Sequence, residues 1–445
     1  MQHHNNALLS WPHEVPAPVA HALVDAHFIR ALELGPPVWW QQWQTARLAG
    51  MLAWLGTKEW WSNWATSRLG PSSPIEALSG LPIMAREDFR SLIASHEPEV
   101  PAEHGKLSNF STSGSSGVPV TFWRSELAGR INNNHYWADH QRQGRDLTQR
   151  MAVIKAFVNF SHDGTHQFTT GEPWLHPGEQ MARLVDKFTI EEHAVWLASY
   201  PAAYLVTRPN VLSGVLSTIE MNKSSAPTFC QIMTLGQTVN PQLRERAREI
   251  LGASIRDRYS CEEVGPMAFQ CPESDDHYHC AVTNAVVEVV DNAGRHVVDG
   301  VQGNVLVTGL HQWASPAVRY DLGDIATWHA ICPGCGNSAP ALSKLLGRKF
   351  FLLQRPNGEW HLINILARHW LPCAPFREYR LVQTSAQAFR AEFVLDQPIT
   401  EVQSQATIAM LQKLVGPEYT FELAQLDAIP WPPGRKRQEF VGLTP

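Results

Sequence analysis

The feature of this sequence that most limits its fold is an alternation between short apolar runs and helical segments. Four runs are mostly rich in β-branched residues and are bounded by turn formers, as buried strands are: MAVIKAFV, FCQIMTL, AVVEVV and NVLVTGL. Between such runs lie segments with helical spacing of apolar residues, for example NPQLRERAREILG. Strands that alternate with helices predict an α/β fold, in which helices cover the faces of a sheet.

The organisation of the chain predicts two domains, because 445 residues are too many for one ordinary core. Residues 1–70 are expected to form a helical arm that ends at the breaker cluster LGPSSP. Its tryptophan pairs have roughly helical spacing, which favours packing on the main body over contact with a partner or a membrane surface. After Arg348 the pattern changes to a turn, two strands and a helix. We therefore expect a large domain over 1–348 and a small α+β domain over 349–445.

The charge balance limits the classes of partner. Lys plus Arg number 36 against 42 Asp plus Glu, so the formal net charge of -6 provides no general attraction for nucleic acid or anionic lipid. The first residues lack a basic region followed by an apolar run, and no apolar stretch is long enough to span a bilayer. We expect a cytoplasmic protein with small-molecule partners and with no nucleic-acid or membrane partner. Its oligomeric state is open, with a homodimer as one option.

A dense cluster of hydroxyl and glycine residues precedes the β-like run VTFW. Glycines let backbone N–H groups turn toward an anion and hydroxyls add donors, so the cluster suits a polyphosphate, although its composition also fits a flexible linker. The GK(S/T) ending of a Walker loop is absent. The residue order resembles the phosphate-binding loop of adenylate-forming enzymes, Ser/Thr-Ser-Gly-Ser/Thr-Ser/Thr-Gly followed by a small residue and Pro. The resemblance implies that ATP binds Ser111, Thr112, Ser113, Gly114, Ser115, Ser116 and Gly117.

A second motif lies in RDRYSCEEVG and resembles the Tyr-Gly-x-Ser/Thr-Glu motif of the same superfamily. This resemblance implies that Tyr259 packs at the adenine and that Glu263 binds Mg²⁺. Ser260 stands where the family has Gly, and Glu262 stands where it has Ser or Thr. Two neighbouring carboxylates repel each other, which can alter a metal site or a local pKa.

A third motif, PAVRYDLGDI, resembles the ribose-binding segment of the family. It implies that Asp324 accepts hydrogen bonds from both ribose hydroxyls, for which a carboxylate has two suitable oxygens. The step Leu346–Arg348 resembles the junction between the large domain and the lid, and it implies that Arg348 lies near the nucleotide. A looser match, TLGQT, assigns Gly236 to the adenine side of the site.

Adenylation needs positive charge at the α-phosphate, and a lysine of the lid usually supplies it. The segment PPGRKRQ resembles the terminal Gly-Lys loop of the family, but Arg435 follows the glycine and Lys436 comes one residue later. A compact ammonium suits a point charge at phosphate better than a planar guanidinium does. We therefore predict Lys436 as the catalytic cation, with Arg435 as the alternative, and Glu263 as the third catalytic residue.

Four residues with metal-binding side chains flank the ribose segment, in the pattern C-x7-H followed by CxxC: Cys271, His279, Cys332 and Cys335. Such a set fills a tetrahedral zinc shell without an open position, which predicts a structural zinc ion. His277 and Cys280 compete with His279 for the second ligand position. The segment HYHCAVTNAVVEVVD resembles a Gly-Leu-His segment of the phenylacetate-CoA ligase and capsule-biosynthesis groups, which often carry a Cys/His cluster here, and this resemblance favours His279.

The order of the motifs, from LPI-x-x-R-x-D to the basic tail, is similar to that of the phenylacetate-CoA ligase family and the related capsule-biosynthesis adenylation proteins. The resemblance implies a large α/β domain of layered sheets and helices with a small α+β lid. It also implies ATP and Mg²⁺ as cofactors, acyl-AMP formation with release of pyrophosphate, and acyl transfer to a thiol, with CoA as the expected acceptor. Transfer to an amine or a carrier protein is one alternative, and nucleotide binding without turnover is another. An aromatic acid is an option, for which four residues are either pocket walls or core residues: Tyr136, Trp137, Phe157 and Phe160.

Overall fold

The computed structural model describes residues 17–62, 74–111, 120–155, 165–168, 178–223, 225–348, 352–355, 360–362, 367–430 and 440–443. Within these ranges, none of the helices has the length and apolarity that crossing a membrane would require.

Helices form the described part of the N-terminal arm and the segment that follows it: α1 (Ala17–Leu34), α2 (Pro37–Leu55), α3 (Glu59–Ser62), α4 (Pro74–Ser79) and α5 (Arg86–Ala94). Helix α2 begins with Pro37 at its first turn, where the missing N–H of proline costs no helical hydrogen bond. Trp40, Leu48 and Leu55 lie on its buried face and join the main hydrophobic core. The prediction that the arm packs on the main body is therefore confirmed for these residues.

One twelve-stranded sheet dominates the large part of the chain. Its strands are β3 (Met151–Lys155), β4 (Thr165–Phe168), β5 (Gln180–Leu184), β6 (Tyr204–Thr207), β7 (Gln231–Leu235), β8 (Ser254–Cys261), β9 (Gly265–Gln270), β10 (Tyr278–Cys280), β11 (Ala285–Val290), β12 (Gln302–Gly309), β13 (Tyr320–His329) and β14 (Ala341–Arg348). Their spatial order is β11-β12-β13-β14-β10-β9-β8-β7-β6-β3-β5-β4. All four of the predicted apolar runs contribute strands, namely β3, β7, β11 and β12, so the α/β prediction is confirmed.

The sheet has a parallel part and an antiparallel part. Strands β5, β3, β6, β7 and β8 pair in parallel, and parallel neighbours need crossover connections that usually contain helices. Helices α7 (Ile190–Ser199), α8 (Pro209–Asn222) and α9 (Pro241–Leu251) supply three of these crossovers, and α6 (Glu126–Arg142) precedes the sheet. On the other side of β8, the strands follow the spatial order β8-β9-β10-β14-β13-β12-β11, and all of these pairings are antiparallel. Strand β11 also approaches β9, β10 and β13, so the antiparallel part curls.

Local signals explain why α9 forms where the sequence predicts it. The side chain of Asn240 caps the helix by accepting a hydrogen bond from Leu243 N at 2.7 Å, and Pro241 occupies the first turn. Gly252 ends the helix in the left-handed conformation, with φ of 64°.

Two small antiparallel ribbons accompany the sheet: β1 (Leu107–Ser111) with β2 (Thr121–Ser125), and β15 (Leu352–Gln354) with β16 (Trp360–Leu362). The C-terminal part has its own four-stranded sheet, in the order β19 (Thr420–Gln425), β18 (Ala388–Val394), β17 (Glu378–Ser385) and β20 (Phe440–Val441), with helices α10 (Ala367–Trp370) and α11 (Glu401–Val415). Its core, which includes Trp370, Phe389, Phe393 and Leu411, is a separate cluster. The predicted domain boundary after Arg348 stays a prediction.

Candidate active site

The candidate site begins at the turn that follows β8. Tyr259 lies near the end of this strand, and Glu262 and Glu263 form the turn into β9. Gly265 closes the turn with a φ of 93°, and a Cβ atom at this position would overlap the side chain of Asn132. Only glycine meets both conditions without strain. The turn therefore has a backbone that holds the two glutamates at the carboxyl edge of the parallel strands.

Glu263 is buried and lies between two hydrogen-bond donors. Arg86 Nη1 donates to its Oε1 at 3.2 Å, and Tyr320 Oη donates to the same oxygen at 3.3 Å. Burial, together with the nearby Glu263 carboxylate, raises the pKa of Tyr320, so its hydroxyl stays protonated and can donate. The carboxylate is therefore held in one orientation by donors from α5 and β13.

The segment before α5 positions Arg86 because it pairs with the start of β13. Met84 N donates to Arg319 O at 3.0 Å, and Asp321 N donates to Met84 O at 2.9 Å. Asp88 then accepts a hydrogen bond from Ala85 N at 2.9 Å, which begins the helix. The LPI-x-x-R-x-D segment thus places Arg86 in contact with Glu263, which lies 177 residues later in the sequence.

The predicted adenine and ribose residues are direct neighbours. Tyr259 Oη donates to Asp324 Oδ2 at 2.7 Å. Asp324 in β13 is paired across the sheet with Arg348 in β14. Gly236 follows β7 with a φ of 75°, and in the same loop Thr238 Oγ1 donates to Leu346 O at 3.4 Å. Tyr259 and Asp324 are therefore in direct contact, and the backbone of Arg348 lies beside Asp324. The loop that contains Gly236 contacts β14 at Leu346, two residues before Arg348.

The hairpin that carries the hydroxyl cluster borders the same turn. Ser111 ends β1 and is paired with Thr121 of β2, while Thr112, Ser113, Gly114, Ser115, Ser116 and Gly117 lie outside the described residues. From β2, Arg124 Nη2 donates to the backbone oxygen of Glu262 at 2.6 Å. The two strands that flank the predicted phosphate loop are therefore anchored beside the glutamate turn, and the loop's own role stays a prediction.

Other predicted residues have different outcomes. Arg435, Lys436, Phe157 and Phe160 lie outside the described ranges. Trp137 packs against Ala26, Ile29 and Ala138, so this residue is part of the core between α1 and α6. Tyr136 is half-buried near the site, where the guanidinium of Arg258 lies 4.9 Å from its ring centroid.

Sequence patterns missed Lys155, the last residue of β3. Strand β3 lies in the middle of the parallel part, and parallel strands end at the same edge of a sheet. Lys155 therefore lies at the edge that also carries the Glu262–Glu263 turn. Burial and the nearby Arg258 lower the pKa of Lys155 to about 8, and Glu262 acts in the opposite direction. A lysine inside the apolar run MAVIKAFV was the only signal in the sequence, and such a residue is not specific for function.

A buried ionic cluster supports this edge of the sheet. Asp139 accepts from Arg142 at 3.1 Å, from Arg145 at 2.8 Å and from Arg258 at 3.3 Å. Burial alone would raise the pKa of Asp139, but the three guanidiniums lower it well below its usual range. Because Arg258 precedes Tyr259 directly, this cluster holds the part of β8 from which Tyr259 reaches Asp324.

The four predicted zinc ligands meet at one point. Each offers one ligand atom, and these atoms all lie within 4.8 Å of one another: Cys271, His279, Cys332 and Cys335. Zinc–sulfur bonds of about 2.3 Å in a tetrahedron place sulfur atoms about 3.8 Å apart, so the spacing suits zinc. Hydrogen bonding with Cys271, and the neighbouring His279, lower the pKa of the Cys332 thiol.

Strand geometry separates His279 from its two competitors. Cys280 is adjacent to His279 in β10, so its side chain points to the opposite face, where it joins the main hydrophobic core. His277 precedes the strand and packs its ring edge-on against His329, 5.6 Å between centroids. The choice of His279 therefore agrees with the cluster that the structure forms.

Comparison with protein-family models and with curated proteins finds no match. Solved structures do match, among them 2-hydroxyisobutyryl-CoA ligase in the postadenylation state with 2-HIB-AMP. That structure has a TM-score of 0.63 and 17% identity, and the match covers 93% of this chain and 91% of that chain. The same ligase in the thioesterification state with 2-HIB-AMP and CoA has a TM-score of 0.60 and 18% identity, with coverage of 93% and 91%. Its open conformation has a TM-score of 0.58 and 16% identity, with coverage of 93% of each chain. The chain therefore has the fold of the adenylate-forming acyl-CoA ligases, as the motif resemblance implied.

Proposed function

We propose that this protein is an ATP-dependent ligase that converts a carboxylic acid to its acyl-AMP, releases pyrophosphate and transfers the acyl group to a thiol. The observation that carries the proposal is the hydrogen bond between Tyr259 and Asp324, beside the Glu263 turn, in a chain with this fold. These residues come from separate motifs, and a nucleotide needs all of them in one place. The motif order further supports a phenylacetate-CoA ligase-like enzyme.

Each residue has a defined task in this proposal. Asp324 accepts hydrogen bonds from the ribose hydroxyls, and the Tyr259 hydroxyl orients that carboxylate while its ring contacts the adenine. Arg348, paired with Asp324 across the sheet, lies at the end of the large domain, 1–348. The small domain, 349–445, would bring Lys436, or Arg435, to the α-phosphate, and Ser111–Gly117 would bind the phosphates.

Glu263 suits a magnesium ion because hydrogen bonds orient its carboxylate through one oxygen and leave the other oxygen for a metal. Among the described residues, both donors that reach Glu263 meet Oε1, so Oε2 is open to a cation. Mg²⁺ binds proteins through one or two carboxylates plus substrate phosphates, and when bound it neutralises charge on the phosphates. Arg86 adds a second positive charge at this point.

The thiol acceptor is proposed to be CoA. Support comes from the similar ligase, which has been solved with 2-HIB-AMP and CoA together. An amine or a carrier protein as acceptor would use the same first half-reaction, and a panel of acceptors with one accepted acid distinguishes them.

A structural zinc ion is proposed at Cys271, His279, Cys332 and Cys335. Three of these side chains are buried, and together they supply three thiols and one imidazole, which is a closed ligand set. The ion would tie the segment after Glu263 to the segment after Asp324 and would contribute to folding.

Acid-dependent exchange of pyrophosphate into ATP tests the proposed function. A panel of acids that includes phenylacetate, benzoate and 2-hydroxyisobutyrate should show exchange with one chemical class. Asp324→Asn should raise KM for ATP at least about tenfold, because hydrogen bonds to a charged group are lost. Glu263→Gln should lower kcat by about a hundredfold, a typical effect of removing a group that stabilises transition-state charge.

Glu262→Gln is the matched control, since it removes the neighbouring carboxylate, whose side chain is 68% exposed. This variant should keep exchange within about threefold of the wild type, because exposed charges contribute little. ATP binding without exchange for any acid would contradict the proposal and favour a nucleotide-binding protein without turnover.

A further inference from the structure

Three cations form a row across the carboxyl edge of the parallel strands. Strands β3 and β6 pair in parallel, and their register, continued by two residues, places Lys155 beside Arg208. The registers of β6 with β7 and of β7 with β8 add Leu235 and Arg258 to the same row. Neighbouring strands lie about 4.8 Å apart, so the row is about 14 Å long. It begins next to Tyr259, which follows Arg258 in the chain, and it ends at Lys155.

The three cations lie on one face of the sheet. Val153, two residues before Lys155 and therefore on the same face, belongs to a core cluster that also contains Met233 of β7. Arg258 Nη2 donates to Met233 Sδ at 3.5 Å, which places Arg258 on this face as well. Arg208 keeps an extended backbone, with φ of -88° and ψ of 149°. Burial lowers the pKa of Lys155, and the charges of Arg258 and Arg208 lower it further, so both guanidiniums lie near the ammonium.

Among the described residues, positive charge exceeds negative charge at this row. Arg208 forms no ion pair within the described ranges, and it is the N-cap of α8 without a side-chain cap. The N-terminus of a helix carries positive partial charge, so a cation is unfavourable there. Arg258 shares Asp139 with two other arginines, and Glu262, which favours the charged form of Lys155, has a side chain that is 68% exposed. Because like charges at this distance repel, a bound anion would stabilise the row.

The position of the row suits a ligand that starts at the nucleotide. Ligands of α/β sheets bind at the carboxyl edge of the parallel strands. The guanidinium of Arg258 lies 4.9 Å from the ring centroid of Tyr136, beside Tyr259. Arg208 and Lys155 lie two and three strands farther along the sheet. An acid that is activated at the nucleotide and extends along the row therefore ends at these two cations.

We propose that Lys155 and Arg208 bind a second anionic group of the acid, so that the substrate is a dicarboxylic acid. One carboxylate reacts with ATP, and the ammonium and the guanidinium hold the other at the far end of the row. A second carboxylate makes charge-assisted hydrogen bonds with these groups, which a neutral group of the same shape makes more weakly. The identity of the ligand as the acid rests on the proposed ligase activity, whereas anion binding by the row does not.

The test compares diacids with their monoamides, which have the same shape and one carboxylate fewer. The diacids are glutarate, adipate and 4-carboxyphenylacetate. In acid-dependent pyrophosphate exchange, one diacid should have a kcat/KM about tenfold above that of its monoamide, because a hydrogen-bonded charge is gained. Lys155→Met and Arg208→Met should each lower kcat/KM for the diacid about tenfold. Both variants should leave kcat/KM for the monoamide and KM for ATP unchanged.

Arg150→Met is the matched control. Arg150 directly precedes β3, at the opposite edge of the same sheet, and pairs with Glu179 at 2.8 Å. This variant removes the same charge as Arg208→Met and should change none of the kinetic values. Arg208→Met should not lower the melting temperature of the ligand-free protein, because it removes a cation from the positive end of α8. If Lys155→Met does not fold, Arg208→Met decides the test.

Three outcomes of the exchange assay overturn the proposal: equal kcat/KM for diacid and monoamide, activation of a monocarboxylic acid without any diacid, and a raised KM for ATP in Arg208→Met with unchanged diacid kinetics. The last outcome would assign the cations to phosphate. If no acid supports exchange, the ligase activity fails, and isothermal titration calorimetry of the same diacids decides the anion site. Binding that weakens about tenfold in Arg208→Met but not in Arg150→Met supports the site, and no binding to the wild type refutes it.

Discussion

Replacing Arg319 by methionine should destabilise the fold far more than the loss of a surface ion pair would. Arg319 Nε donates to both oxygens of Glu288, at 3.2 and 3.3 Å. Nη1 donates to Leu81 O at 2.8 Å, and Nη2 donates to Gly294 O at 2.7 Å. The two charged side chains are 3% and 1% exposed. One guanidinium therefore joins β11, the loop before α5 and the start of β13.

The magnitude follows from these contacts. Methionine leaves the Glu288 carboxylate buried without a cation, and removing one partner of a buried ion pair costs about 3–5 kcal/mol. The loss of three hydrogen bonds to backbone oxygens, those of Ser79, Leu81 and Gly294, places the expected cost in the upper half of that range, at about 4–5 kcal/mol of unfolding free energy.

The cost should also depend on pH. Burial raises the pKa of Glu288, and Arg319 opposes that rise. Without Arg319 the pKa in the folded state rises further above the unfolded value. Such a group contributes stability at low pH that is lost as the pH rises through the folded-state pKa. The destabilisation should therefore be larger at pH 8 than at pH 5.

Urea unfolding monitored by circular dichroism at both pH values measures these effects in Arg319→Met, Glu288→Gln and the double variant. The double variant leaves no uncompensated charge, so it should be less destabilised than the sum of the two single variants. A cost below about 1 kcal/mol at pH 8, or strict additivity, would refute the argument from the buried pair.

Three further predictions concern the site and its surroundings. Arg86→Met removes a cation beside Glu263, so the Mg²⁺ concentration for half-maximal exchange should fall by roughly threefold, as a magnesium titration would measure; an unchanged value contradicts the role of the pair. Cys332→Ser should abolish zinc binding by elemental analysis and lower the melting temperature, whereas Cys230→Ser, at an exposed cysteine, should retain the metal. Burial raises the pKa of Asp257 to about 6, so its contribution to stability is present below about pH 4 and is lost as the pH rises through 6. Thermal unfolding of Asp257→Asn should therefore vary less between pH 5 and 7.5 than that of the wild type, and an equal variation argues against this assignment.

Much of the fold follows from local sequence patterns. The runs EYRLVQTS and AFRAEFVL form β17 and β18, and SQATIAMLQKLVG lies within α11 and its end, because strand and helix periodicities are properties of neighbouring residues. The cysteine and histidine spacing likewise named Cys271, Cys332 and Cys335, with three candidates for the remaining ligand, of which the motif resemblance favoured His279, a member of the cluster. The two cysteines of a CxxC pair lie close together because a single loop connects them. Because side chains alternate between the faces of a strand, His279 and Cys280 point to opposite faces.

The motif resemblance also predicted which residues that are distant in the sequence lie close together in the structure. It named Tyr259 and Asp324 for one nucleotide, and the structure joins them across 65 residues. The roles of Ser113, Arg435 and Lys436 stay predictions, since these residues lie outside the described ranges.

Only the tertiary structure decided which charged and polar groups meet. Arg86 reaches Glu263 because the segment before α5 pairs with β13, and no local pattern encodes that pairing. Lys155 lies at the same sheet edge as the Glu263 turn because β3 takes a central place in the strand order. Gln44 of α2 donates to the backbone oxygens of Val282 and Ala285, 238 and 241 residues later, and no local pattern encodes that contact. Apolar burial is non-directional, so a sequence pattern shows that a face is buried, whereas strand order and helix placement determine what that face contacts.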